Sequence, residues 1–590
     1  MRAGPPAWTG DPAMGVKELE EMWTVAGDPA REVGIRGLFR FAVEATGLNW
    51  HPERVEVALT RARSMQDLDP ASKTRGNFKW NSGQGGVVDL NAVEFSAQLM
   101  GFMRRVQTER LSERARAQLN AMMADAIDGL RSHVVKIDYT NIFVMKAWGL
   151  IALGEALGRT DVAEDGYGRF DAWMEFTKRN GIGEYGAVVY YGIDLDSLAL
   201  IARFAGRVEA RAKAERAIRH IWTDLAANWW APGDRMGGTN ARTYDYLYGR
   251  GYTEAHTWTA GWLRARPELE GAGWLGGARY NLSTFRDAVM WRPAKEWTER
   301  IRSQVPRTVV QQWGERPEQR AVNWIGRRVS LASSGASRSR DERTLVANLG
   351  DSPEVPQLTL FMEGRGDPYG LKKLVGGKAL HLMPFIATVQ RGADVLQVLS
   401  DDPLQTDARH RPGELVYFAT QFTVPAAAEV WCGEERVRPG TAEKPTLLTE
   451  GAAVSVRLGD AVIGLRVLLA TTTAGTAARV QFVEDAPGGA ARRLTVLHSA
   501  TEPKGRATLV VWLSAAEGFD EAGFAAWRRK FAATRAEAVL RGDEVVAEVA
   551  GAQGALRIVA DVVKGERRVL VGGEAPAFLS VNGREVSPLR

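Results

Sequence analysis

The sequence predicts an α+β multidomain protein, with an amino-terminal (α/α) toroid followed by a carboxy-terminal antiparallel β-sandwich. Three observations predict it. Up to about residue 285 the apolar residues recur at helical spacing. Within that stretch, helices apolar on every side alternate with amphipathic ones, as two concentric layers require. After about residue 305 the apolar period shifts towards two. The expected organisation is a toroidal catalytic domain over 1–285, a junction rich in Arg, Glu and Trp over 286–305, and a sandwich over 306–590. With 590 residues, 45% hydrophobic and 25% charged, the chain can build more than one core, which excludes a disordered or fibrous protein.

Taking the elements in order, Ala92 to Val106 carries Val93, Phe95, Leu99, Met100, Phe102 and Met103, and reads as a buried helix. Ile142 to Leu153 is apolar nearly all round and must be covered on most sides. Ile218, Ile221, Trp222, Leu225 and Trp229 form one stripe, with Arg216, Arg219 and His220 mostly off it, so this helix keeps one side in water. Short glycine-bearing loops such as Gly158-Arg159-Thr160-Asp161 join these helices. An α-solenoid is the competing layout, but it needs a repeat of fixed length and none is visible. Glu414 to Val424 and Ala507 to Leu513 are strand-like, and Asp401-Asp402-Pro403, Pro439-Gly440 and Ala486-Pro487-Gly488-Gly489 break such runs. Many strands with few helices between them favour stacked antiparallel sheets. A late amphipathic helix is expected from Asp520 to about Ala538.

Composition narrows the function classes. The 76 Lys and Arg nearly balance 71 Asp and Glu, and the net charge of +5 permits anionic partners without demanding them. No long basic tract or nucleic-acid motif appears, so a nucleic-acid partner is not expected. One cysteine, Cys432, excludes an intrachain disulfide framework and a multi-cysteine zinc cluster, and 7 His argue against a multi-histidine metal enzyme. Of the 19 Trp, 14 precede residue 300, which suits a ligand with flat faces such as sugar rings, or a large helical core. No run of roughly 18 apolar residues exists, so no membrane span is expected. Met1-Arg2-Ala3-Gly4-Pro5-Pro6 leads into no apolar segment, which means a cytoplasmic protein, or a periplasmic or secreted one whose signal is gone. No cofactor is expected. A structural or assisting divalent cation and the oligomeric state stay open.

Two segments draw the eye to chemistry. Asn180-Gly181-Ile182-Gly183-Glu184-Tyr185-Gly186 is a glycine-rich loop that leads through Tyr190 and Tyr191 into a helix beginning near Asp194. Asp194 and Asp196 read as helix-start acids, and the tyrosines either pack at the helix start or act from the loop. Earlier comes Asp138-Tyr139-Thr140-Asn141, directly before the buried helix. Thr140 or Asn141 is a plain N-cap on one reading. On the other, Asn141 faces the toroid cavity beside Tyr190 and Tyr191.

These segments resemble the heparinase and alginate-lyase type of polysaccharide lyase. Such enzymes have an α/α toroid followed by antiparallel β-sheets. They carry an Asn, or Asn-His, at the start of an apolar helix, then a glycine-rich, Glu-bearing loop running into a Tyr. The resemblance implies β-elimination on a uronate-containing acidic polysaccharide, with Asn141 neutralising the carboxylate and Tyr190 or Tyr191 as base and acid. The His that some members have beside the Asn is Ile142 here. The chemistry explains the residue types: charge that develops beside an ionised carboxylate needs a fixed donor such as Asn or Arg. A tyrosine base needs nearby positive charge to lower its ordinary pKa of about 10.

A third segment, Asn240 to Trp258, holds four Tyr, two Arg, one His and one Trp. Arg242 and Arg250 are candidate carboxylate binders, Tyr246 and Tyr248 candidate sugar contacts, and His256 a candidate for the missing histidine. A structural, hydrogen-bonded His256 is the plainer alternative, as are core-capping tyrosines. In Lys79 to Asn91 the glycines lack a preceding strand and a Gly-Lys-Ser/Thr ending, so a nucleotide site is not expected. Trp80 is read there as a sugar platform and Glu184 as a further substrate contact, with Asp89 or Asn91 capping the next helix. His381, His410 and Tyr369 are weaker cleft candidates from the second half. Two other classes compete: a glycoside hydrolase using two of Glu184, Asp194, Asp245 and Glu254, and a non-catalytic glycan-binding protein.

Overall fold

Helices come first in the chain and sheets second, as a computed structural model describing residues 12–263, 284–372, 381–406, 413–449, 451–472 and 480–590 shows. The helical part contains α1 (Pro12–Ala26), α2 (Ile35–Gly47), α3 (Pro52–Ser64), α4 (Ala92–Val106), α5 (Glu113–Ser132), α6 (Thr140–Ala156), α7 (Thr160–Asn180), α8 (Tyr190–Phe204), α9 (Val208–Asn228), α10 (Thr253–Thr259), α11 (Thr284–Val289) and α12 (Lys295–Arg302).

The helices form two layers. In the inner one α2 packs on α4, α4 on α6 and α6 on α8, and α11 touches both α8 and α2, which closes the ring. The outer helices α3, α5, α7 and α9 each back an inner one. Sequence sets the layer: α6 buries every residue from Thr140 to Gly154, whereas α7 buries one stripe, as does the first half of α9 before it becomes buried all round from His220 to Asn228. The closing helix α11 is held at both ends. Glu44 on α2 accepts from Thr284 N (2.9 Å) and Phe285 N (3.2 Å), satisfying orphan amides of the first turn, and Arg203 on α8 donates to Asp287 O and Met290 O (2.8 Å each).

Beyond Arg307 the described chain is mainly antiparallel strand. One sheet of eleven strands has Phe418–Pro425, Leu358–Glu363, Leu345–Leu349, Val329–Ser334, Arg320–Ile325 and Arg307–Gln312 as successive neighbours. It faces a seven-stranded sheet centred on Ala461–Thr472, Ala507–Ala516 and Asp394–Asp401. The expected sandwich is therefore present, with an addition. A four-stranded sheet, Ala536–Arg541 to Glu566–Val571, covers the outer face of the seven-stranded one. Alternation along one strand shows it: Leu509, Val511 and Leu513 enter the core between the first two sheets, while Val510 and Trp512 pack with Val545, Ala547 and Ile558 of the third. Burial on both faces is why this strand reads as a continuous apolar run.

Three local expectations shift. The late helix spans Glu521–Ala533, with Asp520 as N-cap accepting from Gly523 N (2.7 Å), and a strand begins at Ala536. His220 on α9 is buried rather than water-facing, since the carboxy-terminal segment covers it: Ser587 Oγ lies 3.0 Å from Nδ1 and Phe578 stacks on the ring. And α8 begins at Tyr190, not near Asp194, because Tyr191 N already bonds Ala187 O (2.9 Å). Among the described residues no helix is long and apolar enough to cross a membrane.

Candidate active site

The loop after α7 turns back between the helices and the large sheet, and two glycines make that possible. Gly181 (φ +79°) ends α7 where a Cβ would collide with the carbonyl of Gln312, and Gly186 (φ +56°) brings the backbone against Thr239. Between them Glu184 is fully buried. Its Oε2 accepts from Asn141 N (2.9 Å), one of the orphan amides at the start of α6. Asn141 itself is not an N-cap; that position is Tyr139, with no side-chain cap bond. The two segments that stood apart in the sequence thus meet through a carboxylate on a helix N-terminus, where negative charge is favoured.

The other Glu184 oxygen receives Arg242 Nη1 (3.0 Å). Arg242 is placed by its own backbone neighbours: Ala241 N bonds Tyr185 O (3.0 Å) and Thr243 N bonds Asp341 O (2.6 Å), pinning the segment between loop and sheet half. Its Nε donates to Asp341 Oδ2 (2.9 Å), and Nη2 reaches Tyr244 OH (3.1 Å) and Tyr190 OH (3.4 Å). The two phenol oxygens are 2.6 Å apart, and the guanidinium lies 4.7 Å from the Tyr190 ring centroid. Burial alone would lower the Arg242 pKa, but Tyr190, Asp341, Glu184 and Tyr244 outweigh it and raise it. Burial also pushes Glu184 up, opposed by Arg242, Arg338 and the Asn141 amide. Arg338 crosses from the sheet half to Asp138, with Nη1 on Oδ2 (3.1 Å) and Nη2 on the carbonyl (2.6 Å).

Burial pushes Tyr139 and Tyr244 up to about 12, with the Arg242 charge acting against it in both. Both phenols therefore stay protonated near neutral pH. Tyr190, half-buried at the first turn of α8, is more open than Tyr244. It shares an apolar cluster with Trp80, Phe95, Tyr139, Ile142, Ile193 and Tyr252, in which Trp80 and Tyr190 are both half-buried, and this partly open patch is the candidate recess. Arg36 on α2 lies over the Phe95 ring at 4.5 Å. The residue is exposed, yet desolvation lowers its pKa, with Tyr252, Tyr190 and Asp196 acting the other way. Among the described residues no ion pair holds this guanidinium.

The other sequence candidates lie elsewhere. Tyr191 is fully buried and donates to Asp224 on α9, which also takes Gln311 Nε2, so it joins the two helix layers to the sheet half and is not at the recess. Asn141 is brought beside Glu184, but its side-chain amide is closed to solvent (residue 1% exposed) and makes no hydrogen bond. His256 is buried behind Tyr252: Asp196 takes Tyr252 OH (2.9 Å) on one oxygen and pairs with His256 Nε2 (3.1 Å) on the other. Tyr246 is buried against His381 and Phe361, and burial pushes that imidazole down to about 3. Arg250 stacks on Tyr248 and donates to Pro353 O (3.2 Å), while Tyr369 donates to Asp485 (2.6 Å). Glu184 is structural in position, not solvent-facing. His410 lies outside the described residues.

Of the carboxylates weighed for hydrolysis, Asp194 and Glu254 are buried and Asp245 accepts from Leu247 N and Tyr248 N in a turn. Sequence reading missed Tyr139, Tyr244, Asp341, Arg338 and Arg36. Tyr139 and Tyr244 had a local signal, each two residues from a named candidate, Asn141 and Arg242. Among the described residues no three His, Cys, Asp or Glu side chains group as metal ligands would.

Residues 82–265, which include Tyr139, Asn141, Glu184, Tyr190, Arg242 and Tyr244 but not Arg36, Trp80, Arg338 or Asp341, match a family model described as a domain of unknown function (DUF8769). No curated protein matches the chain. Among solved structures, the chain is similar to a chondroitin AC lyase of Streptomyces coelicolor A3 in complex with chondroitin sulphate (12% identity, 94% of this chain and 90% of that one, TM-score 0.46). It is also similar to a xanthan lyase of Paenibacillus (10% identity, TM-score 0.44), covering 94% of this chain but spanning only 64% of that one. A third is a heparan sulfate lyase mutant of Pedobacter heparinus (10% identity, 89% and 82% covered, TM-score 0.35). The resemblance is to polysaccharide lyases, and it is one of architecture.

Proposed function

We propose that the protein is a polysaccharide lyase that cleaves a uronate-containing acidic polysaccharide by β-elimination. One observation carries the reading: a half-buried tyrosine, Tyr190, shares its phenol oxygen with Tyr244 and Arg242 at the edge of a recess bearing an unpaired guanidinium, Arg36.

The residues divide the work as follows. Arg36 binds the uronate carboxylate across the recess, where a bidentate, charge-assisted contact withdraws electrons as the adjacent carbon loses its proton. Trp80 offers a flat apolar face to a sugar ring. Tyr190, as phenolate, takes the proton next to the carboxylate. The electron pair of that C–H bond forms the new C=C bond, and the glycosidic oxygen on the neighbouring carbon leaves. That oxygen then takes the proton from Tyr190, which restores the phenolate. Arg242 is a positioning residue: it favours the phenolate electrostatically and holds Tyr244 in place to donate to it. Glu184 and Asp341 fix the guanidinium plane, and Asn141 contributes its backbone N–H to that frame. No step calls on a cofactor.

The test is incubation with acidic polysaccharides while following the ultraviolet absorbance of unsaturated uronates. Products without that absorbance contradict the proposal.

A further inference from the structure

A second feature lies at the other end of α8. Tyr190 opens that helix, whereas Ala199, Ala202, Arg203 and Phe204 near its end border a groove of about 1270 Å³. At 1.5 Å per residue the two ends are roughly 20 Å apart, so the groove is not part of the recess around Tyr190. It runs between α8, α9, the segment around α12 and the carboxy-terminal Val586 and Pro588.

Its chemistry is specific. Trp291 and Trp297 line it, each half-buried. Four arginines line it, Arg203, Arg211, Arg219 and Arg292, against a single carboxylate, Glu215. Arg203 is engaged by the carbonyls of α11, and Arg211 makes one long contact with Ala205 O (3.5 Å). Arg219 and Arg292 are exposed, and among the described residues no hydrogen bond or ion pair engages either guanidinium. Elsewhere on this surface arginines find carboxylates readily, as Arg131 does with Asp161 and Arg207 with Glu164. Two aromatic faces beside unpaired, planar cations match a chain of sugar rings that carries carboxylate or sulfate groups. A neutral glycan would leave the cations without partners, and a purely apolar partner would desolvate them at a cost.

From this we infer that the groove is a second binding site for an acidic oligosaccharide, separate from the recess, which holds a neighbouring stretch of polymer. The inference rests on the proposed substrate class, but its test does not depend on turnover.

The full-length Tyr190→Phe protein is run in native gels containing alginate, polygalacturonate, chondroitin sulfate or heparan sulfate, with dextran as the neutral control. It is compared with the same protein carrying Arg219→Glu and Arg292→Glu, two exposed positions whose change leaves the core intact; thermal melting checks this. Trp297→Leu provides a second, charge-neutral variant. The expected result is retention by at least one acidic polymer and none by dextran, with the double variant retained about tenfold less strongly, the loss of roughly one strong charge contact. Equal retention of parent and double variant overturns the inference, as does retention of the parent by no acidic polymer. A sedimentation result in which the double variant dissociates a dimer also overturns it, since the occupant is then a second copy. Failure of the lyase reading shows separately, as absence of the ultraviolet signal in the wild type, and leaves the retention result standing.

Discussion

Replacing Arg242 by lysine keeps the charge and removes the geometry. The guanidinium serves four acceptors from a planar fork: Asp341 at 2.9 Å, Glu184 at 3.0 Å, Tyr244 at 3.1 Å and Tyr190 at 3.4 Å. An ammonium is a point charge on a shorter reach and cannot span two carboxylates on one side and two phenols on the other. Glu184 is fully buried and Asp341 nearly so, so whichever carboxylate loses the guanidinium loses its salt-bridge partner in a dry site, with Glu184 keeping only the Asn141 amide as a direct donor. A hydrogen bond to a charged group is worth about 1.5–3 kcal/mol, which sets the expected loss of stability. The phenol pair also loses its cation, and removing one such preorganised donor costs about 10²–10³ in kcat. The assay is steady-state turnover on the most responsive acidic polysaccharide, followed by ultraviolet absorbance, beside thermal melting of the same preparation. KM is expected to move little, because the proposed carboxylate binder is Arg36. Wild-type kcat in a variant that melts with the parent would refute the positioning role; a raised KM with unchanged kcat would move Arg242 to substrate binding.

Further expectations separate neighbouring residues. Tyr190→Phe lowers kcat by about 10²–10⁴ at a stability cost of about 0.5–1.5 kcal/mol, whereas Tyr191→Phe keeps kcat and loses about 1–3 kcal/mol, because Asp224 loses a donor in a dry site; kinetics and melting of the pair decide this. Arg36→Gln raises KM and costs at most about 1 kcal/mol of stability, the worth of its contact with the Phe95 ring; an unchanged KM removes Arg36 from the recess chemistry. Burial raises the Asp224 carboxyl to about 6, with Tyr191, Asn228 and Gln311 opposing. The folded state therefore binds the proton more tightly than the unfolded one, and stability falls as pH rises from about 4 to about 6, by about 3 kcal/mol. Melting of wild type and Asp224→Asn across that range checks it, and equal slopes count against it.

Local signals were legible in the sequence and long-range ones were not. The bounds of α4 and the burial of α6 follow from apolar spacing within one helix. The seven-stranded sheet's two-faced burial is foreshadowed in the unbroken run Leu509 to Leu513, but nothing there says which element covers the second face. At the site, Asn141, Glu184, Tyr190 and Arg242 could be named because each sits in a segment dense in polar or glycine residues. What joins them could not be: Asp341 and Arg338 arrive from the sheet half, and Arg36 from α2, across sequence distances that carry no pattern. Tyr190 and Tyr191 look equivalent in the sequence. One helical step of about 100° sends the first to the recess and the second to the outer layer, where Asp224 waits. His256 illustrates the converse, a residue of the right type held behind Tyr252 by Asp196.

The most direct measurement is the absorbance of unsaturated uronates released from a panel of acidic polysaccharides by the wild type and by Tyr190→Phe. The account predicts a rise with at least one polymer for the wild type and a trace at most for the variant. Reducing ends released with no rise in absorbance, or a rise that Tyr190→Phe leaves intact, would contradict it.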